Sequence, residues 1–128
     1  MAILYEAFGQ FRQVFMDGPE LPQGPNPARL GYSIGKWEGD TLVVDTTGFN
    51  GKAWLDQAGH PATEDLHVTE RFRRRDFGHL EIQVTIDDPK AYKKTWTATQ
   101  AMNLLPDTDL LEFVCNENER DLRHLSVK

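Results

Sequence analysis

The chain holds one cysteine, Cys115, so no disulfide can form within it. No apolar run approaches the ~20 residues of a membrane-spanning helix. No basic segment precedes the opening MAILYEAFG, so no export signal is expected, and the sequence as given reads as soluble and cytoplasmic. Basic charge is scarce as well: 14 Lys and Arg stand against 20 Asp and Glu, for a net charge of -6 and a pI near 5.1. A surface of that sign does not displace counterions from phosphates, which argues against nucleic acid and against anionic membranes as partners. The histidines His60, His67, His79 and His124 lack the spacing of a zinc pair, so no metal is expected. There is no phosphate loop, dinucleotide fingerprint, CxxC or serine nucleophile elbow, and no cofactor is expected. Helical patterning is limited to 52–58, where a turn or two would carry Trp54 and Leu55 before Gly59 and Pro61 stop it, and to a turn or two in the charged tail.

What is present is β patterning. Apolar and charged residues, 39% and 27% of the chain, suit one soluble domain of 128 residues with a real core. Short strands are expected at 3–8 and 11–16 around a turn at Gly9 and Gln10. In the second, Phe11, Gln13 and Phe15 alternate with Arg12, Val14 and Met16. Residues 17–27, with four prolines, form a loop. Residues 30–49 hold two strands around Glu38, Gly39 and Asp40, and 50–65 form a second long loop. Residues 66–86 form a hairpin, 87–94 a loop, and 95–102 and 110–115 the last strands, with Cys115 as a small core side chain. A charged tail over 115–128 closes the single domain, 1–128. About eight strands at this spacing imply an all-β fold: a single antiparallel, mostly up-and-down barrel or a strongly curved sheet, calycin-like.

The hairpin at 66–86 poses the sharpest chemical question. Pairing Phe72 with Leu80 sets Glu70 opposite Ile82, Val68 opposite Val84 and Leu66 opposite Ile86. The other face then pairs Arg71 with Glu81, Thr69 with Gln83 and His67 with Thr85. Glu70 is thus a lone acid on an apolar ladder. Burying an unpaired carboxylate costs several kcal/mol, so it needs a partner: an arginine, a tyrosine, water or a ligand. Arg71, Arg73, Arg74 and Arg75 read as ion-pairing and edge-protecting residues. Three uses of such a barrel follow. The first is binding of a small, largely apolar molecule, with Tyr5, Gln13, Tyr32, Trp37, Trp54, Trp96 and Gln100 lining the cavity and Glu70 orienting the ligand. The second is a cofactor-independent isomerase, lyase or hydrolase with Glu70 as acid/base and His60 or Asp45 as partners. The phase of Asp45 is open, because TLVVD is apolar on both faces. The third is a solid-cored structural or interaction module. Monomer and homodimer both stay open.

The strings GYSIGKWEGDTLVVDTTGFN, LHVTERFRRRDFGHLEIQVTIDDPKAY and PDTDLLEFVCNENE resemble a group of uncharacterised bacterial proteins, over most of the chain from Ile3 to Leu125. Those proteins are usually longer, with an export signal and an extra amino-terminal segment that this sequence does not show. The resemblance carries no established activity and so implies no catalytic residues. Gly35-Lys36-Trp37 is similar to the Gly-x-Trp of lipocalins, which implies a calycin-like barrel.

Overall fold

The structure is a computed structural model, and it describes residues 1–16, 18 and 20–111. Seven strands form one sheet in sequence order: β1 (Ala2–Tyr5), β2 (Gln10–Met16), β3 (Tyr32–Glu38), β4 (Thr41–Thr47), β5 (His67–Arg74), β6 (His79–Asp87) and β7 (Trp96–Asn103). One turn of 3-10 helix, Ala7–Gly9, joins β1 to β2. The fold is all-β, and the sheet curls into a half-barrel. Leu110 and Leu111 are exposed and outside any strand, and the rest of the strand expected at 110–115 lies outside the described residues, with Cys115 and His124.

One pair departs from antiparallel order. β2 and β3 run parallel, with Val14 beside Ser33 and Met16 beside Gly35. Parallel neighbours need a crossover of about a dozen residues or more, and the proline-rich stretch between these strands provides it. That stretch is tied down past the end of β4, where Ala28 N–H donates to the Gly48 carbonyl and Asn50 N–H donates to the Ala28 carbonyl.

The β3–β4 hairpin closes as the sequence implies, with Glu38 opposite Thr41 and Gly39 at a φ of +62°. The β5–β6 hairpin keeps the expected faces but shifts its pairs by two positions. Glu70 faces Val84 rather than Ile82, Phe72 faces Ile82, Val68 faces Ile86, and Arg71 faces Gln83 rather than Glu81. The cause is the turn. Asp76 Oδ1 accepts from the Gly78 N–H and lies 2.6 Å from His79 Nδ1, while Arg74 donates to the Asp76 and Phe77 carbonyls. This wrapped turn occupies 75–78, leaving Arg74 to pair with Leu80. A shift of two preserves every side chain's face, whereas a shift of one would invert them all.

Two apolar clusters fill the interior face. Val14, Leu42 and Val44 form the first, with Ile3, Met16 and Phe72 packed on it. Leu66, Val68 and Ile86 form the second, covered by Phe49, Leu55, Ala62, Tyr92 and Trp96. β2 packs closely on β3 at Gly35. A Cβ on Gly35 would meet Val14 Cγ1 at 2.7 Å and Met16 Sδ at 2.8 Å, so only glycine lets those side chains fold over the strand. The covering residues of the second cluster come largely from loops. Segment 50–65 contains no helix, which corrects the expectation for 52–58. Asp56 ties the segment instead: its Oδ1 accepts from Ala58 and His60 N–H, and Leu55 N–H donates to the His60 carbonyl. A carboxylate two and four residues before these N–H groups offers the chain a turn in place of a helix.

Candidate ligand-binding cleft

Strand register decides which sequence candidates meet. Residues paired across neighbouring strands share a face, so Ile3, Arg12, Val14, Val44, Glu70 and Val84 all point inward. Because the sheet curls, the side chain of Arg12 on β2 reaches across the interior to β5. Its Nη1 stands 2.6 Å from Glu70 Oε2, with the two side chains only 11% and 14% exposed. The acid on the apolar ladder therefore has an arginine partner from another strand. The contact is close but not aligned as a hydrogen bond, and Glu70 Oε2 and Arg12 Nε and Nη2 are buried with no hydrogen-bond partner among the described residues. Tyr5, on the same face as Ile3, stands close enough to feel both charges. Burial raises its phenol above the usual value, Arg12 lowers it, and Glu70 raises it again.

Beside this pair opens a cleft of about 200 Å³. Leu66 and Val68 form its floor, segment 49–55 with Trp54 and Leu55 forms one wall, Ala62 closes part of another, and Arg12, Arg29 and Glu70 supply its charge. The sequence provides each part for a local reason. Val68 and Glu70 alternate inward along β5, while Phe49 follows Gly48, whose φ of +73° turns the chain out of β4 and over the interior.

The loop wall is anchored by a second buried acid. Asp88, 1% exposed, accepts from Thr63 N–H, Thr63 Oγ1, Lys90 N–H and Ala91 N–H. Burial works against its charge, and those hydrogen bonds outweigh it, holding the carboxyl below its ordinary range. Tyr92 Oη adds a hydrogen bond to the Pro61 carbonyl. The long loop is thereby bound to the start of the β6–β7 connection.

Of the candidate ligand-contacting residues, Trp54 lines the cleft. Trp96 packs in the cluster beneath it, edge-on to Tyr92 at 5.7 Å. Tyr5 flanks the ion pair. Gln13 and Tyr32 lie on the outer face, where Tyr32 stacks on Phe15 at 4.8 Å. Trp37 and Gln100 are on the inner face but at the exposed far end, and Trp37 is 62% exposed. The three proposed catalytic residues are not brought together. Asp45 points through the sheet to the outer face, where it accepts a 2.6 Å hydrogen bond from Thr69 Oγ1 and lies 3.4 Å from His67 Nε2. His60 lies at the surface, 2.7 Å from Asp56 Oδ2, and that hydrogen bond holds the Asp56 carboxyl low. The arginines after Glu70 face elsewhere too: Arg71 pairs with Glu38, Arg73 with Asp40 and Arg75 with Glu81. β5 is an interior strand, so edge protection is not their role.

Arg12, Arg29, Phe49 and Leu55 escaped the sequence reading as site residues. Arg12 alone left a signal, since it shares its phase with Val14 and Met16 just as Glu70 shares its phase with Val68 and Phe72. Among the described residues, no three His, Cys, Asp or Glu side chains are placed to hold a metal ion. No helix among them is long and apolar enough to cross a membrane. Compared with protein-family models, curated proteins and solved structures, the chain matches none.

Proposed function

We propose that the protein binds a small, largely apolar molecule in the cleft over Leu66 and Val68. The observation that carries this reading is a concave site with mostly apolar walls and a few buried polar groups at one end, the usual make-up of a small-molecule site. At about 200 Å³ it lies below the ~300–1,000 Å³ of sites for drug-sized ligands, so the occupant is small. The lipocalin-like Gly35-Lys36-Trp37 agrees with ligand binding in a curved β-sheet. Catalysis by Glu70 is less well supported. Among the described residues that line the cleft, the titratable ones are Arg12, Arg29 and Glu70, so Glu70 has no second carboxylate or histidine beside it there.

A thermal-shift screen with neutral aromatic and alicyclic molecules such as benzyl alcohol and cyclohexanol tests the reading. Binding to the folded state raises Tm with ligand concentration. Ala53→Phe, a change on the exposed loop wall, is expected to abolish the shift while leaving the unliganded Tm nearly unchanged. An equal shift in this variant would place the ligand elsewhere.

A further inference from the structure

Resting on that reading, we propose that the ligand is a monocarboxylate with an apolar tail, its carboxylate held by Arg12 and its tail against Trp54, Leu55 and Leu66. The charges within the cleft point this way. Arg12 from within and Arg29 from the exposed rim bring two guanidinium groups and Glu70 brings one carboxylate, so the lining carries a net positive charge in a protein of net charge -6. An occupant with one negative charge balances it.

The geometry of Arg12 agrees. Glu70 lies against Nη1 and leaves Nε and Nη2, both buried and without an acceptor among the described residues. Those two N–H groups form the parallel fork that takes a carboxylate through both oxygens. Buried donors without acceptors are costly, and a ligand carboxylate relieves that cost. Glu70 would then be a positioning residue, holding the guanidinium by one nitrogen. Reaching the fork requires a local shift. The adjacent wall is an irregular segment in which Phe49 and Leu55 pack on the core while Trp54 is 75% exposed, so Trp54 is the side chain free to move aside. An amine is the opposite possibility, with Glu70 as its partner, but the two arginines oppose a second cation.

Isothermal titration with benzoate and hexanoate, each beside its neutral counterpart benzyl alcohol or hexanol and its cation benzylamine or hexylamine, tests the assignment. The carboxylates are expected to bind about tenfold or more tightly than the alcohols, as a charge-assisted bidentate contact implies. The preference should fall to about twofold or less in the paired variant Arg12→Met/Glu70→Leu, which removes both charges together and so leaves no unpaired ion in the core. Arg12→Lys keeps the charge but loses the fork, and should lose most of the preference. Equal affinity for acid and alcohol, or a preference for the amine, overturns the carboxylate assignment and leaves the apolar cleft standing. If no compound binds, the cleft reading fails with it.

Discussion

Glu70 lines the cleft and Asp88 anchors the loop that walls it, and these two acids are satisfied in opposite ways. Asp88 lies where two loops meet and receives four hydrogen bonds, three of them from backbone N–H groups. Its shell is complete within the chain. Glu70 lies on a strand, where neighbouring backbone groups are committed to the ladder and cannot turn toward a side chain. Its partner is one long side chain from across the half-barrel, close in distance and imperfectly aimed. A self-contained polar site organises structure, whereas a partly satisfied one retains binding capacity. On this comparison Asp88 anchors the wall of the cleft, and under the proposed reading Arg12 with Glu70 provides its chemistry.

The largest effect is expected at the incompletely satisfied acid. Glu70→Leu removes a carboxylate and leaves Arg12 charged and buried, a loss of about 3–5 kcal/mol when one partner of a buried pair is deleted. Adding Arg12→Met should restore most of that stability, since an apolar pair of similar volume fits the neighbouring Ile3, Val14 and Phe72. Urea denaturation of the two variants measures both values. If Glu70→Leu alone were more stable than the parent, the ion pair would be a cost with no structural role.

Asp88→Ala comes next. It strips acceptors from several buried N–H groups and unties Thr63 from the β6–β7 connection, at an expected cost of about 2–4 kcal/mol. Loosening segment 50–65 should also weaken any ligand of the cleft, although residue 88 is not among those that line it. Loss of stability with full retention of binding would show that the wall does not depend on its anchor.

Both acids left traces in the sequence, and the traces differ in kind. Period-two alternation exposed Glu70 because a charge in phase with Val68 and Phe72 contradicts its face. Arg12 made the same contradiction beside Val14 and Met16, and two opposite charges out of place are a pair waiting for a topology. Pairing them required the parallel β2–β3 step and the curl of the sheet, which come from long-range packing and not from local pattern. The hairpin faces were legible for the same reason, while the register slipped because the turn that Asp76 organises centres on Phe77, one residue later than the expected pairing implies, without changing the alternation. Asp88 was not legible as a site. In a stretch reading DDPKAYKK an acid is ordinary loop chemistry, and nothing local says that Thr63 will arrive to bury it. Asp45 shows the limit of alternation most directly: Val43 is 3% and Val44 0% exposed on opposite faces, so the run has no polar phase to read.

Acid pH tests the Asp88 anchor directly. The folded carboxyl of Asp88 titrates below its ordinary value of 3.8, so its contribution to stability is complete above that pH and is lost as pH falls through the folded pKa. The parent protein should lose Tm on acidification from about pH 5 to pH 2, and Asp88→Asn should flatten part of that slope while lowering the plateau at neutral pH. Other depressed carboxyls, including Asp56 and Asp76, are on the surface, where solvent screens their hydrogen-bonded histidines, and their removal should change the slope less. Parallel Tm–pH curves for the parent and Asp88→Asn would contradict the assignment of the buried carboxylate as a charged anchor.

The smallest effect tests redundancy. Thr63→Val removes the hydroxyl donor to Asp88 Oδ1 but keeps the Thr63 backbone donor to Oδ2, and Oδ1 retains Lys90 and Ala91 N–H. The bond to Asp88 is lost together with an exposed one that the hydroxyl accepts from the Asp65 N–H, and no buried group is stranded, so the expected cost is about 1 kcal/mol, read as a small shift of the urea midpoint with unchanged slope. Glu70 has no comparable reserve, because Arg12 is its one ion-pair partner among the described residues. A site with several backbone donors tolerates the loss of a side chain; a site resting on one guanidinium does not, and that guanidinium is also the group left with donors to offer a ligand.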